Sequence, residues 1–387
     1  MYRIGKEEIA ELTKVIEARD LFKINGGLKE SNQVENKLAE IFNCKYPIFM
    51  TSGHAALTSA LVAMGIGPGD EVIVPGYTYI STAMAVVAAG AIPIIAEVDD
   101  TLTISPEDIV KKISKNTKAI IPVHIQGFPC NMKAIMDIAK KYGLFVLEDA
   151  CQADGGSFEG KRLGTIGDAG TLSFNFFKIV TCGEGGALLT DSREIFERAL
   201  IYHDCSAVAF FGNQMSEFTT EGFCGSEYRS NELCAAVMNV QLERLEGILS
   251  DLRKNKKYMM DALSDVAEFI PSNDIAGDCG TTLAFKFESE AAARKFAAAK
   301  GVGGMLPIDT GKHIYRHWTP IMMKKGAFNP LMDPFKMEAN KEIVPDYNEN
   351  MCLATLKKLS EAVYIGVSPD ATTNELDEKI AVIRKNL

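Results

Sequence analysis

Between residues 47 and 149, short apolar runs alternate with helical stretches, and no other feature of this chain restricts its fold as much. PIFMT (47–51), EVIVP (71–75), IPIIAEV (92–98), AIIPVH (119–124) and LFVLED (144–149) read as strands. A helix from about Ala55, MAVVAAG (84–90), residues 106–114 and NMKAIMDIAKKYG (131–143) read as the helices between them. Strand, crossover helix, strand is the signature of a parallel sheet. Near-continuous apolar strands belong to sheets covered on both faces. The expected fold is therefore α/β, a mostly parallel central sheet with helices on both faces. Ligands of such sheets collect at the carboxyl ends of the strands, so the residues that follow each run are the place to look for function.

Further along, TLSFN (171–175) and GALLT (186–190) predict two closely spaced strands, and NELCAAVMNVQLERLEGIL (231–249) a helix. TLAFKF (282–287) predicts a strand and SEAAARKFAAAKG (289–301) a helix ending at Gly301. A domain boundary is placed near 250. Residues 19–250 would form a large domain; residues 1–18 and 251–387 would form a smaller α/β domain, with the N-terminal helix packed on it.

The chain's 387 residues are 47% apolar and 24% charged, which excludes a disordered chain, a collagen and a coiled coil. A net charge of −10 with no basic stripe argues against nucleic acid. The longest apolar stretch (83–96) is broken by Gly90 and Pro93 and is shorter than the roughly 20 residues of a membrane span. The N-terminus has no signal-peptide core, so the expected location is the cytoplasm. Nine cysteines show no C-x2-C pair and no histidine at finger spacing, which predicts free thiols in a reducing compartment and no metal.

Four segments carry chemistry. In TSGHAAL (51–57) a strand ends on a Ser-Gly turn before a helix. The amides of Gly53, His54 and Ala55 can hold an anion there, or the turn is a plain N-cap. In VPGYTYIST (74–82), Tyr77 and Tyr79 can cover a planar ligand or sit as interfacial tyrosines. In LFVLEDACQADGG (144–156) a buried strand runs into Glu148 and Asp149, with Gln152 one turn on. A carboxylate in this place can hold the proton of a heterocyclic nitrogen, and Gln152 can bond a ring substituent; an N-cap by Asp149 is the simpler alternative. In TLSFNFFKIVTCGEGGALLT (171–190), Lys178 lies between apolar segments ahead of Gly183-Glu184-Gly185-Gly186. An amine among apolar groups is a nucleophile toward carbonyls, and Ser173 can add a hydroxyl at the same anion. Against this stand a snorkelling lysine and a hairpin turn. Neither a Walker loop nor a dinucleotide fingerprint occurs. Together the pieces are what pyridoxal phosphate needs: an anion cradle, an aromatic cover, an acid for the pyridine nitrogen, a glutamine for the ring oxygen and an imine-forming lysine.

The order SGxAAL, VPxxTYxST, EDACQA, SFxxxK, GEGGA resembles the DegT/DnrJ/EryC1/StrS family of pyridoxal-phosphate-dependent sugar aminotransferases, from about residue 5 to 250 and more weakly beyond. The resemblance implies the type I aminotransferase fold and a homodimer with active sites at the subunit interface. It implies transfer of an amino group from glutamate or glutamine to a ketosugar or aldehyde by a ping-pong route. Lys178 would carry the cofactor, Asp149 would meet the pyridine nitrogen, Gln152 the ring oxygen and Tyr79 the ring face. Gly53, His54 and Ser173 would hold the phosphate. Residues 222–231 would reach the partner subunit.

Two positions depart from the pattern. His54 stands where the family has Thr, and Glu227-Tyr228-Arg229 stands where it has Asn-Tyr-Arg or Asn-Phe-Arg. The role of that Asn is not transferred to Glu227; Arg229 is left between a structural ion pair and a substrate anion. LGTIGD (163–168) with KIVTCGEGGA (178–187) resembles members that aminate the C8 aldehyde of an octulosonate sugar, and similar strings occur in those acting on inososes. In KHIYRHWTPIMMKKGAFNPLMDPF (312–335), His313, Arg316, His317 and Trp318 are candidates for the acceptor pocket, against an ordinary surface loop anchored by the Trp. A dehydratase of the same family or a non-catalytic binding protein on the same fold are the other readings. The sugar 3-dehydratases carry His in place of the lysine, and a binding protein has no need of Lys178, Asp149 and Gln152 together.

Overall fold

The computed structural model describes residues 3–24, 27–208, 218–343 and 345–387. Two helices, α1 (Lys6–Ala18) and α2 (Glu30–Phe42), precede the sheet region. There β1 (Tyr46–Met50), α3 (Gly53–Ala63), β2 (Glu71–Pro75), α4 (Ser81–Ala88), β3 (Ile92–Ala96), α5 (Pro106–Lys112), β4 (Thr117–Ile120), α6 (Met132–Tyr142) and β5 (Phe145–Asp149) follow in strict alternation. A two-residue pair, β6 (Ser157–Phe158) and β7 (Lys161–Arg162), leads to β8 (Ala169–Ser173), β9 (Gly186–Thr190) and α7 (Arg193–His203). The long helix α8 (Glu232–Leu263) connects to β10 (Thr282–Lys286), α9 (Glu290–Ala297), the short α10 (Thr319–Met322), α11 (Leu353–Ser360), β11 (Ala362–Gly366) and α12 (Thr373–Asn386).

The helices start where the sequence supplies oxygen caps: the side chains of Ser52, Ser105, Asn131, Ser192, Asn231 and Ser289 each accept a first-turn amide. The main sheet has seven strands in the order β1-β9-β8-β5-β4-β2-β3. Pairings β2–β3, β2–β4, β4–β5 and β5–β8 are parallel, whereas β9 runs antiparallel to both β8 and β1. Each strand is covered on both faces, and alternate residues divide between two cores. Phe49, Ile73, Ile120, Val146 and Leu189 face the core shared with α2, α6 and α8. Ile48, Val72, Val74, Leu147 and Leu188 face the core shared with α3, α4 and α7.

The two closely spaced strands are β8 and β9, whose register pairs Ser173 with Gly186. Residues 174–185 therefore form the loop of an antiparallel hairpin, closed by Phe174 N–H to Gly185 O (2.8 Å) and Phe176 N–H to Gly183 O (2.9 Å). The glycine-rich turn is the return arm of that hairpin, and Lys178 lies on the same loop. Position 250 falls inside α8, so the chain passes from the sheet region to the C-terminal region along a continuous helix. The described part of the N-terminal segment lies on α8: Gln241 donates to Glu8 (2.8 Å), and Arg244 pairs with Glu8 (2.9 Å). Arg3 reaches Asp251 and Asp370, both at 2.7 Å, which ties the segment to α8 and to the C-terminal region at once. In that region β10 pairs with β11, a strand the sequence pattern did not reveal because AVYIG is a short apolar run with no alternation. Among the described residues no helix is long and apolar enough to cross a membrane.

Candidate active site

The carboxyl ends of β1, β2, β5 and β8 converge on one edge of the sheet. Asp149 ends β5 and is buried. Its Oδ2 accepts the Thr82 hydroxyl at 2.7 Å and its Oδ1 the Cys151 amide at 3.2 Å. Thr82 is in turn bonded to the Thr78 hydroxyl at 2.8 Å. These contacts fix the carboxylate's orientation and make it more than a local cap. Thr82, the second residue of α4, lies in the VPxxTYxST string but was not singled out by the sequence pattern; it is the side chain that orients Asp149.

Glu148, the other half of the acidic pair, has a different role. It is fully buried and accepts the amides of Ile166 (2.5 Å), Gly167 (2.7 Å) and Gly164 (2.9 Å). The His124 Nε2 is its fourth partner at 3.0 Å. His124 Nδ1 accepts the Cys130 amide, which places the ring proton on Nε2 as the donor to Glu148. Glu148 thus braces the LGTIGD turn behind the site, and Asp149 alone faces forward.

Gln152 accepts the Gln126 amide on Oε1 at 3.1 Å, which leaves its Nε2 hydrogens as donors. At the start of α3, Ser52 already accepts the Ala55 amide (3.1 Å), so the anion cradle consists of the Gly53 and His54 amides and not of Ala55 as well. A side chain on Gly53 would come within 2.7 Å of the Cys151 Sγ and 3.0 Å of the Ser173 Cβ. One on Gly186 would overlap the Ser52–Gly53 turn, at 2.3 Å from the Ser52 carbonyl carbon. The last glycine of GEGG is therefore the floor under the cradle. The His54 ring turns away from it to the Ser81 hydroxyl (2.9 Å), and burial lowers its pKa. The amide, not the ring, is what His54 offers an anion.

Lys178 is half-buried on the hairpin loop. Its charge bears on the Cys151 thiol, the Asp154 carboxyl and the His313 imidazole, which places all three around the amine. Tyr79 is exposed beside His313, with the two rings 5.5 Å apart and the Lys312 Nζ 5.1 Å from the tyrosine's centre. The segment that carries Lys312 and His313 is strapped to the loop after β2. Thr78 N–H donates to His313 O (2.9 Å), Ile80 N–H to Lys312 O (3.0 Å) and Tyr315 N–H to Gly76 O (3.0 Å). Burial, then Lys312 and Lys178, lower the His313 pKa.

The remaining acceptor candidates separate. Arg316 is half-buried, and its Nε is buried with no hydrogen-bond partner among the described residues. His317 is exposed. Trp318 is a correction: it is fully buried in the core shared with α3 and α4, and its Nε1 donates to Lys312 O at 3.0 Å. It anchors the strap and has no face left for a sugar. Arg229 is drawn into an ion pair with Glu227 (2.5 Å), donates to Asp204 O (3.1 Å) and lies over the Phe22 ring. The carboxylate that stands in place of the family's Asn thus folds back on Arg229, so the arginine takes the structural side of its two expected roles and is not placed as a substrate residue.

The donor set fits a phosphorylated pyridine aldehyde. There is an anion cradle that a single Cβ would fill, an oriented carboxylate, an amide donor and an amine within one cluster. Comparison with known proteins agrees. The DegT/DnrJ/EryC1/StrS aminotransferase family matches residues 2–297. The chain belongs to that family. It is 39% identical over 221 residues to a GDP-perosamine synthase of Escherichia coli O157:H7, a match spanning 57% of this chain and 59% of the synthase, less than two thirds of that relative. It is 33% identical over 302 residues to a putative L-glutamine:3-amino-2,3-dideoxy-scyllo-inosose aminotransferase of Micromonospora echinospora, covering 74% of this chain and 69% of that one. Among solved structures, an aminotransferase from Psychrobacter cryohalolentis superposes with a TM-score of 0.80 at 26% identity, covering 99% of this chain and 96% of the other. The family's type I pyridoxal-phosphate transferase fold is the one observed here, with β9 as the single reversed strand of the main sheet.

Proposed function

We propose that this family member is a pyridoxal-phosphate-dependent aminotransferase that moves an amino group from glutamate or glutamine to a keto- or aldehyde-sugar in a ping-pong cycle. The acceptor class comprises nucleotide-linked ketosugars, octulosonate C8 aldehydes and inososes. The observation that carries this reading is the convergence of Lys178 with an Asp149 carboxylate held in place from two sides. When bound, the cofactor supplies an electron sink for the carbon that loses and gains the proton.

The chain's own residues do the rest. Gly53, His54 and Ser173 bind the phosphate through amides and a hydroxyl at a helix start, where the dipole favours an anion. Asp149 holds the pyridine proton through a charge-assisted hydrogen bond. Gln152 would offer its amide hydrogens to a ring substituent, and Tyr79 would lie against the ring. Lys178 would hold the cofactor, and its amine, when free, would take up and return a proton at the substrate carbon. Arg316 is the residue whose buried, unpartnered Nε fits an anionic group on the acceptor, with His313 and His317 beside it on the strap.

A homodimer is part of the same proposal. Phe176 and Phe177 on the Lys178 loop are 54% and 77% exposed, an apolar surface that a second copy would cover. A cytoplasmic location is supported by nine cysteines present as free thiols. The test is a half-reaction assay: loaded protein mixed with glutamate or glutamine should lose the cofactor's aldehyde-form absorption and regain it with an acceptor sugar. An unchanged spectrum with both donors would remove the aminotransferase reading.

A further inference from the structure

Gln126 lies in the loop between β4 and α6, in the left-handed region at φ 55° and ψ 21°, and Gly127 follows at φ 82°. A non-glycine residue holds that conformation only where its surroundings over-determine it. Here they do. The Gln126 N–H donates to Gln152 Oε1 (3.1 Å), its carbonyl accepts the Thr281 hydroxyl (2.7 Å), and its side-chain oxygen accepts the Thr282 hydroxyl (3.2 Å). The next carbonyl, that of Gly127, accepts the Cys279 amide at 3.2 Å. A side chain on Gly127 would come within 2.7 Å of the Cys279 Cβ, so the turn lies directly against residues 279–282.

Those residues lead into the C-terminal sheet. Thr282 opens β10, and the Thr281 carbonyl accepts the amide of Val367, which follows β11, at 2.8 Å. A chain of hydrogen bonds therefore runs from this sheet through Thr281 and Gln126 to Gln152. A carboxamide has an acceptor end and a donor end, and it can turn end for end with little change in shape. A fixed N–H on Oε1 selects one of the two orientations and leaves the Nε2 hydrogens for a ligand.

We propose that Gln126 and Thr281 are positioning residues for Gln152: the left-handed turn, held by the Thr281 hydroxyl, fixes which end of the Gln152 carboxamide meets the cofactor, so that the C-terminal region sets the strength of the donor at the ring oxygen. This rests on the reading of Gln152 as the donor to that oxygen. A donor there favours the anionic oxygen, whereas a carboxamide free to turn presents its own oxygen part of the time and disfavours it. Gln126, Thr281 and Thr282 carry no ionisable group. Replacing one of them changes the orientation of Gln152 and leaves in place the ionisable side chains of the adjoining segments, Asp149, Cys151, Asp154, Lys178 and Cys279.

The test reads the pH midpoint of the loaded protein's visible absorption. Thr281→Val removes the hydroxyl, and its midpoint should rise by about half a unit, roughly a threefold change in the ionisation constant. Thr281→Ser keeps a hydroxyl and should return the midpoint to that of wild type. Gln152→Ala removes the donor itself and should raise the midpoint by about one unit. In the double variant Thr281→Val should add nothing to Gln152→Ala, because its effect travels through Gln152. An unchanged midpoint in Thr281→Val, or its full shift on top of that of Gln152→Ala, would overturn the proposal. If Thr281→Val does not fold, Thr281→Ala carries the same expectation, and failure of both to fold would assign Thr281 to the fold alone and overturn the proposal as well. An unchanged midpoint in Gln152→Ala would defeat the parent reading of Gln152, whereas a shift there with none in Thr281→Val would defeat only this one.

Discussion

The two sides of the site are built in opposite ways. The floor is made by residues that directly follow strands: Gly53 after β1, Asp149 at the end of β5 and Ser173 at the end of β8. Each is positioned by the sheet's own register, and Asp149 by two further hydrogen bonds. The rim is the segment 311–318, two three-residue helical turns held to the loop after β2 by three backbone bonds and by the buried Trp318. A floor set by the sheet suits a group that must sit in one fixed place, such as the cofactor. A rim set by a strap can change its side chains without disturbing the sheet, which suits the part of the site that distinguishes one acceptor from another.

That contrast can be tested by substitution. Lys178→Ala, on the hairpin loop beside the floor, should have the largest effect: transamination falls to background while the circular dichroism spectrum and melting temperature stay near wild type. Near-wild-type turnover would break the assignment. Next comes a stability effect from the rim. Trp318→Ala should cost about 3–5 kcal/mol, as for other buried aromatics, and lower the melting temperature. Residual activity in the cold should show no selective rise in KM for the acceptor; a selective rise with unchanged stability would restore Trp318 to the pocket.

Asp149→Ala should lower kcat by about 10²–10³-fold, the scale seen when one oriented electrostatic partner is removed. Cys151→Ala, its neighbour, should cost less than about tenfold, or about 1.4 kcal/mol. Equal losses would mean that the carboxylate has no special role. The smallest effect belongs to the rim's arginine. Arg316→Ala should raise the acceptor KM about tenfold and leave the donor half-reaction unchanged, since the lost contact contributes equally to ground and transition states. Equal slowing of both half-reactions in stopped-flow would move Arg316 out of the acceptor pocket.

The same contrast explains what could be read from the sequence. The strand-helix alternation from β1 to β5 was legible because each strand is an apolar run and α3, α5 and α6 open on oxygen caps, while α4 starts after Ile80 without one. Asp149, Gln152, Ser173 and Lys178 could be singled out as candidates because they end strands or follow shortly after strand ends. The division of labour between Glu148 and Asp149 was not, since adjacent strand residues face opposite ways and only the turn at 164–167 decides which one is braced. Trp318 was misread because neighbouring positions on short helical turns share no common face, so its nearness to Arg316 and His317 in sequence said nothing about where its ring points.

The central claim is that Lys178 is the amine that holds the cofactor. Reduction of the loaded protein with borohydride, followed by proteolysis and mass spectrometry, tests it directly. The account predicts one stoichiometric pyridoxyl adduct, on the peptide containing Lys178, with none in Lys178→Ala. An adduct on another lysine, or undiminished labelling in that variant, would contradict it.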